Sequence, residues 1–353
     1  MRDTIRMILI MHMANELLSV PVAAGTIAIA AGGVSIICRK ARRVISPDKI
    51  ALMGIMGAFI FAAQMINFQL PAMPGTSGHV VGAVLLAIIL GPDAGAIVIS
   101  SVVIIQCLIF QDGGLLALGC NIINMGLVPS YLGYFLYKSF TTGAFSNLRT
   151  YIGAMLGCVI AIEAGAVLVP IEAALSGVLV VPFATFLITM LGVHLLVGLV
   201  EGLITVAVLG YIQQVRPDIV GDCLAGKVRL SKNTVLVTLA VFTIIIASGL
   251  SLLACGFPDG LEWSYAERPD QPDFGSMVSN EYPTIAKVDD FQTRYSPLPD
   301  YSIRTCEMGE VAVEEISVAS GWTSFAGVTG AGLTMIFVWL TARILCRKEF
   351  MKT

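Results

Sequence analysis

The sequence predicts an all-α integral membrane protein of about nine transmembrane helices. Three observations predict it. Of the 353 residues, 56% are apolar and only 13% are charged, where a soluble domain carries about 25% charged residues. Apolar runs recur along the chain with lengths near the ~20 residues a bilayer needs. Basic residues gather in the loops at alternate ends of those runs, as the positive-inside rule demands. In lipid only helices and closed barrels satisfy their own backbone, and the alternating segments of about 10 residues that mark barrel strands are absent. A net charge of -3 leaves no basic surface for nucleic acid.

The N-terminal stretch MRDTIRMILIM admits two readings. Arg2 and Arg6 can be the n-region of a signal peptide, or residues 1–10 can be a prefix before a start at Met11. The first span covers about Val20 to Ile37. Arg39, Lys40, Arg42, Arg43 and Lys49 follow it and mark a cytoplasmic loop. His12 then lies outside. The second span, about Ile50 to Phe68, returns the chain outside, so the loop Pro71–His79 is on the same side as His12. The third, about Gly78 to Leu90, is short for a crossing. It stops at Gly91-Pro92-Asp93, where proline blocks continuation. Its leading loop is expected to dip into the protein, since irregular backbone at membrane depth must be buried there.

The fourth span is about Ala94 to Phe110, and Gln111–Gly114 is the outer loop that follows. The fifth is about Leu115 to Tyr137, with Asn121 and Asn124 inside it. The sixth is about Tyr151 to Val169 and the seventh about Pro182 to Ile212. Arg216, Lys227, Arg229 and Lys232 make the next loop cytoplasmic. The eighth span, about Thr234 to Ala254, leads into a polar segment with thirteen carboxylates and four basic residues, which fits the outside. The ninth, about Trp322 to Leu345, is stopped inside by Arg347 and Lys348. The expected organisation is a prefix 1–10, a seven-helix unit 11–215, a cytoplasmic linker 216–233, and a two-helix module 234–353 whose extracytoplasmic loop is 256–321. The N-terminus is outside and the C-terminus cytoplasmic.

The chain has three histidines: His12, His79 and His194. His79 heads an apolar run after the small polar residues Gly75–Gly78. Alone it reads equally well as a polar cap at the membrane interface. With His12 on the same side, near loops that can enter the bundle, it points to a metal site. Imidazole suits nickel, copper, zinc and cobalt. His194 and Glu201 are seven residues apart, hence on one helical face. At that depth they either serve function or pair inside the bundle, and pairing is the favoured reading. Asp112, Asn121 and Asn124 can bond a loop or a ligand, or join helices as polar glue. The eight cysteines show no CxxC spacing. Cys255 and Cys306 fall together on the outside, as a disulfide or as two thiols. No G-x-x-x-x-G-K-[ST], HExxH or GxSxG occurs, so nothing supports ATP hydrolysis, proteolysis or lipid hydrolysis by this chain. The chain reads as a non-enzyme.

Several stretches in one order resemble the CbiM/NikM family, the substrate-binding components of energy-coupling-factor (ECF) transporters for cobalt and nickel. They are Met11–Asn15, Pro74–His79 with the apolar run behind it, Asp112–Gly114 through Gly119, Asn121–Met125, and His194-x-x-x-Gly198-x-x-Glu201-Gly202. Pro258-Asp259-Gly260-Leu261-Glu262 resembles the signature of that family's CbiN/NikN-like partner module, fused here. The resemblance implies a multi-pass protein of a prokaryotic cell membrane that captures Ni2+ or Co2+ as its cargo, with no resident cofactor. A transmembrane coupling (T) protein and separate ATPase (A) subunits would be its partners. It implies a near-square-planar set of nitrogens: the amine of Met11, the deprotonated amide and Nδ1 of His12, and His79. Ser77, Asp112, Asn121, Asn124, His194 and Glu201 would support them. A free amine on Met11 requires a working chain that begins there. The acidic segment is expected to aid delivery or coupling rather than to form the tight site. The competing reading is a stand-alone metal channel or secondary carrier.

Overall fold

The computed structural model describes residues 12–43, 45–70, 72–73, 75–142, 147–179, 181–219, 229–265, 283–302, 304–307, 310–313 and 321–347. Met11 and the prefix 1–10 lie outside the described residues. The fold is helical throughout its apolar interior. Helix α1 (Val20–Ala41) starts with proline in its first turn, where the missing N–H costs nothing, and ends on Arg39 and Lys40, cations that favour a helix C-terminus. Helix α2 (Pro47–Gln64) comes back with proline again at its start. Helix α3 (Ala83–Leu90) is eight residues long and buried at every position. Helix α4 (Pro92–Ile105) continues into a π-helical turn, Gln106–Phe110.

Helix α5 (Leu118–Asn121), a second π-helical stretch (Ile122–Leu127) and α6 (Val128–Thr141) follow one another without a break. Helices α7 (Asn147–Ser176) and α8 (Phe183–Val215) are the longest. Helix α9 (Lys232–Ser248) is capped by Ser231, whose oxygen accepts the Thr234 amide at 3.1 Å. The short α10 (Gly260–Tyr265) and α11 (Pro283–Tyr295) follow, and α12 (Gly321–Arg347) closes the described chain. Two small antiparallel hairpins interrupt the helices. One joins β1 (Phe68–Gln69) to β2 (Ser77–Gly78), the other β3 (Arg304–Glu307) to β4 (Glu310–Val313).

The expected count of about nine spans is not reached by length and apolarity. Among the described residues six helices are long and apolar enough to cross a membrane: α1, α4 with its π extension, α7, α8, α9 with the 3-10 turn that follows it, and α12. Helix α2 is a shorter apolar helix. The expected third span shrinks to α3, about 12 Å at 1.5 Å per residue. Its N-cap, Gly82, has φ +78°, and Gly91-Pro92 ends it with φ +89° at the glycine. A left-handed residue at each end leaves no room for a longer helix.

Helices α3 and α4 sit at the centre. Helix α3 packs on α4 and α6, while α6, α7 and α8 follow one another along one side. Helices α9 and α12 pack on α2, so these two helices share one apolar interior with the residues before them. Helix α1 carries its basic end about 30 Å from the end that holds His12, at 1.5 Å per residue. Lys40 there reaches Asp93 at 3.1 Å, and Tyr131 donates to the same carboxylate at 2.5 Å.

Candidate metal centre

At the opposite end four pieces of chain converge: the N-terminal segment, the Thr76–His79 loop, the Gln111–Ala117 loop and the start of the 256–302 segment. Each arrives for a local reason. The Thr76–His79 loop is held from below by Glu201 of α8, whose carboxylate accepts the Val81 amide at 2.6 Å and the Gly82 amide at 3.0 Å. These are N–H groups that the first turn of α3 cannot satisfy itself. Gln64 donates to the Val81 carbonyl at 2.8 Å and is itself bonded by Gln106 at 2.8 Å. Thr76, Ser77 and His79 are thereby buried. The loop does enter the protein, as the short third span predicts.

His12 is only 2% exposed. Its ring lies 5.6 Å from that of His79, centroid to centroid, at 46°. His12 Nδ1 stands 2.6 Å from Asp112 Oδ1. Tyr301 donates its hydroxyl to the other oxygen, Oδ2, at 2.6 Å. A carboxylate can only accept, so Nδ1 carries the His12 proton and Nε2 the lone pair. Nε2 is buried with no hydrogen-bond partner among the described residues. His79 Nδ1 lies 3.0 Å from the Val80 carbonyl, which likewise places its lone pair on Nε2. Asp112 therefore occupies the His12 nitrogen that the family resemblance assigns to the ion.

The neighbours of this pair are fixed by backbone. Asn121 clamps Met13, accepting its amide at 3.0 Å and donating to its carbonyl at 3.2 Å. Gly113 has φ +89°, and a Cβ there would stand 2.8 Å from His12 Cβ and 2.9 Å from Asn121 Nδ2. Asn15 accepts the Leu116 amide at 2.7 Å and donates to Asp289 at 2.5 Å. Gln292 of α11 donates to the Gly113 carbonyl at 2.8 Å and accepts the Leu115 amide at 2.9 Å.

His12, His79, Asn121, Asn124, His194 and Asp259 line one cavity of about 70 Å³. Asn124 donates to Glu172 at 2.7 Å and keeps its own buried oxygen without a partner among the described residues. His194 Nδ1 contacts the Met190 carbonyl at 2.8 Å, one turn back along α8. The expected partnership of His194 and Glu201 resolves into two different jobs. Glu201 caps the loop, and His194 lines the cavity wall. Ser77 points away from the cavity and donates to the Phe257 carbonyl at 2.8 Å.

Charge in the site follows burial. Burial alone would push the Asp112 carboxyl up, but the hydrogen bonds from His12 and from the Tyr301 hydroxyl hold it below its ordinary value. Asp259 is pushed up to about 6 by burial, against the pull of His79 and the Glu262 amide. Burial, then the Asp112 charge, keep the Tyr301 phenol well above its ordinary value, so it stays a donor. Tyr301 and Asp300 both have positive φ, +57° and +52°. Such a conformation costs about 1–3 kcal/mol per non-glycine residue. It turns the Tyr301 ring inward, stacked on Phe110 at 4.8 Å.

Among the described residues no three His, Cys, Asp or Glu side chains gather closely enough to hold an ion by themselves. A site here needs backbone donors beside the two imidazoles. Sequence reasoning singled out His12, His79, Asp112 and Asn121, which meet. It missed Tyr301 and Gln292, took Asn15 only as part of the Met11–Asn15 stretch, and gave Asp259 no place at the cavity. The Pro258–Glu262 run was the available signal for Asp259. Tyr301 lies in a polar segment with no periodicity to place it. Cys255 is a free thiol, and the side chain of Cys306 lies outside the described residues.

The fold and site define a multi-pass helical membrane protein with a buried two-histidine pocket at one end. The chain belongs to the family described as the cobalt uptake substrate-specific transmembrane region, whose profile matches residues 12–219. The PDGLE domain profile matches residues 233–347. A protein of Archaeoglobus fulgidus named as a fused nickel transport protein, NikMN, is 42% identical over 185 residues, covering 51% of this chain and 59% of its own length. This chain thus spans under two thirds of that relative. A protein of Haloquadratum walsbyi named as a metal transport protein is 35% identical over 182 residues, 52% of this chain and 80% of that one. Among solved structures, a transition metal transporter aligns with a TM-score of 0.51 and 31% identity, covering 58% of this chain and 93% of that one.

Proposed function

We propose that this chain is the ion-capturing membrane subunit of an ECF-type importer for Ni2+ or Co2+. The observation that carries the reading is the buried His12–His79 pair, 5.6 Å apart, on a cavity at the loop end of the bundle. Two imidazoles in a cavity with no gathered thiolates among the described residues suit nickel and cobalt, as they do zinc and copper. The names of the relatives support a metal cargo. Energy comes from partners, a coupling T protein and ATPase A subunits, because this sequence holds no phosphate-binding loop.

The basic loop 39–43 supports a cytoplasmic position for the far end, and so an extracytoplasmic position for the histidines. The organisation carried by this reading is a capture unit 11–215, a linker 216–233 and a partner module 234–353. Met11 adds its amine to the ligand set as the first residue of the working chain. The amine, the His12 amide and Nδ1 then close two small fused chelate rings, a tetragonal nitrogen set that Ni(II) favours. On this reading loading exchanges the Asp112 carboxylate at Nδ1 for the ion. Asn121, Asn124, Ser77, His194 and Glu201 shape the site around it.

Equilibrium dialysis with Ni2+ and Co2+ tests the reading. Wild type binds tightly, and His79→Ala loses high-affinity binding while keeping its helical content. Unchanged affinity in the variant sinks the site assignment. Ion accumulation by the isolated chain in vesicles without ATP favours the channel or carrier reading instead.

A further inference from the structure

The Pro258–Glu262 run has no role in the ligand set, yet it lies against the metal loop. The Ser77 amide donates to the Pro258 carbonyl at 2.8 Å, and Ser77 Oγ to the Phe257 carbonyl at 2.8 Å. Ser77 and Asp259 form a parallel bridge, so their backbones run side by side at about 4.8 Å. His79 is two residues on from Ser77. Asp259 is 5% exposed and lines the same cavity as His12 and His79. One of its oxygens, Oδ1, accepts the Glu262 amide at 2.8 Å and starts α10.

We propose that Asp259 is a further ion-binding residue of this site, supplied by the C-terminal module as the counter-charge for the bound cation. The inference rests on the capture reading above and extends it to a residue outside the ligand set. A dication entering a buried cavity leaves its water, and two neutral imidazoles return none of the charge lost. A buried carboxylate facing the cavity does. Asp259 acts across the cavity rather than by direct coordination, because no three such side chains converge on one point among the described residues. Its position also explains why the acidic module and the metal loop are bonded through backbone. That pairing fixes the carboxylate beside His79 and makes the pocket depend on both parts of the chain. The acidic segment is expected to aid delivery or coupling rather than form the tight site, and on this proposal one of its carboxylates belongs to the pocket.

The test compares Asp259→Asn with wild type, using Ni2+ alone as the probe. Asparagine keeps the shape and still caps a helix, so the variant removes charge and little else. The expected result is a loss of Ni2+ affinity of at least about tenfold, with a metal-free melting temperature equal to or above wild type. Ser264→Ala, which removes a hydroxyl bond to the Gly260 carbonyl in α10 without touching charge, should change affinity by less than about threefold. Unchanged affinity in Asp259→Asn overturns the inference. So does a loss of affinity accompanied by a fall of several degrees in melting temperature, since that makes Asp259 a structural cap. If His79→Ala also binds as wild type does, the capture reading itself has failed, and the two failures are told apart by that variant.

Discussion

At the scale of single residues, the site is organised by groups that hold the histidines. Gly113 must adopt φ +89° with its missing Cβ against His12 and Asn121. Gly113→Ala is expected to destabilise the protein by about 1–3 kcal/mol through backbone strain, and to weaken Ni2+ binding because His12 is the nearest group that can move. Denaturant unfolding and dialysis on the same sample check both. Tyr301→Phe removes one buried hydrogen bond to a charged carboxylate. The expected loss is about 1.5–3 kcal/mol of metal-free stability, read from the same unfolding curves, and a variant as stable as wild type would contradict the bond. Asp259 gives a pH signature. Its folded value, about 6, lies above its unfolded value of 3.8, so its contribution to stability is full below pH 3.8 and is lost as pH rises through about 6. The change is about 1–3 kcal/mol, and the difference between wild-type and Asp259→Asn melting curves from pH 4 to 8 isolates it.

At the scale of elements, the decisive piece is the short α3 and the loop before it. Glu201 neutralises two orphan amides at its start, and Gln64 ties down the intervening carbonyl. Glu201→Ala leaves two buried N–H groups unpaired, at about 1–3 kcal/mol each. It should lower the melting temperature and cost as much Ni2+ affinity as losing His79, since the loop that carries His79 is freed. Retained affinity would show that the loop is held some other way. Much of this element was legible in sequence. The shortness of the apolar run and its glycine and proline borders foretold a loop that enters the protein. The π-helical turns at Gln106–Phe110 and Ile122–Leu127 were not legible. Any reading at a fixed 3.6-residue period misses one extra residue per turn, and such turns gather at functional sites. They end one helix beside Gln111 and Asp112 and carry Asn124 within the other. The His194–Glu201 spacing did show a shared face, but spacing cannot say that Glu201 would bond a backbone 120 residues away.

At the scale of the molecule, hydropathy and charge were enough to read an all-α membrane protein. They give about nine crossings, of which length and apolarity support six among the described residues, because apolar composition does not separate a span from a buried helix of eight residues. They say nothing of the polar contacts between the C-terminal part and the rest. Tyr301, Gln292 and Asp259 reach the first part through long-range polar contacts, and no periodic signal marks those. The chain alone has a pocket and no phosphate-binding loop. Vesicles containing only this protein should therefore bind Ni2+ without accumulating it when ATP is added, and should accumulate it once coupling and ATPase subunits are present. Accumulation by the chain alone would contradict that division of labour. The central claim is that His12 and His79 hold one ion together. X-ray absorption of the nickel-loaded protein addresses it most directly. Shared ligation gives a nitrogen shell with outer scattering from two imidazole rings, reduced to one in His79→Ala loaded at excess Ni2+. A shell of oxygens without imidazole scattering would contradict it.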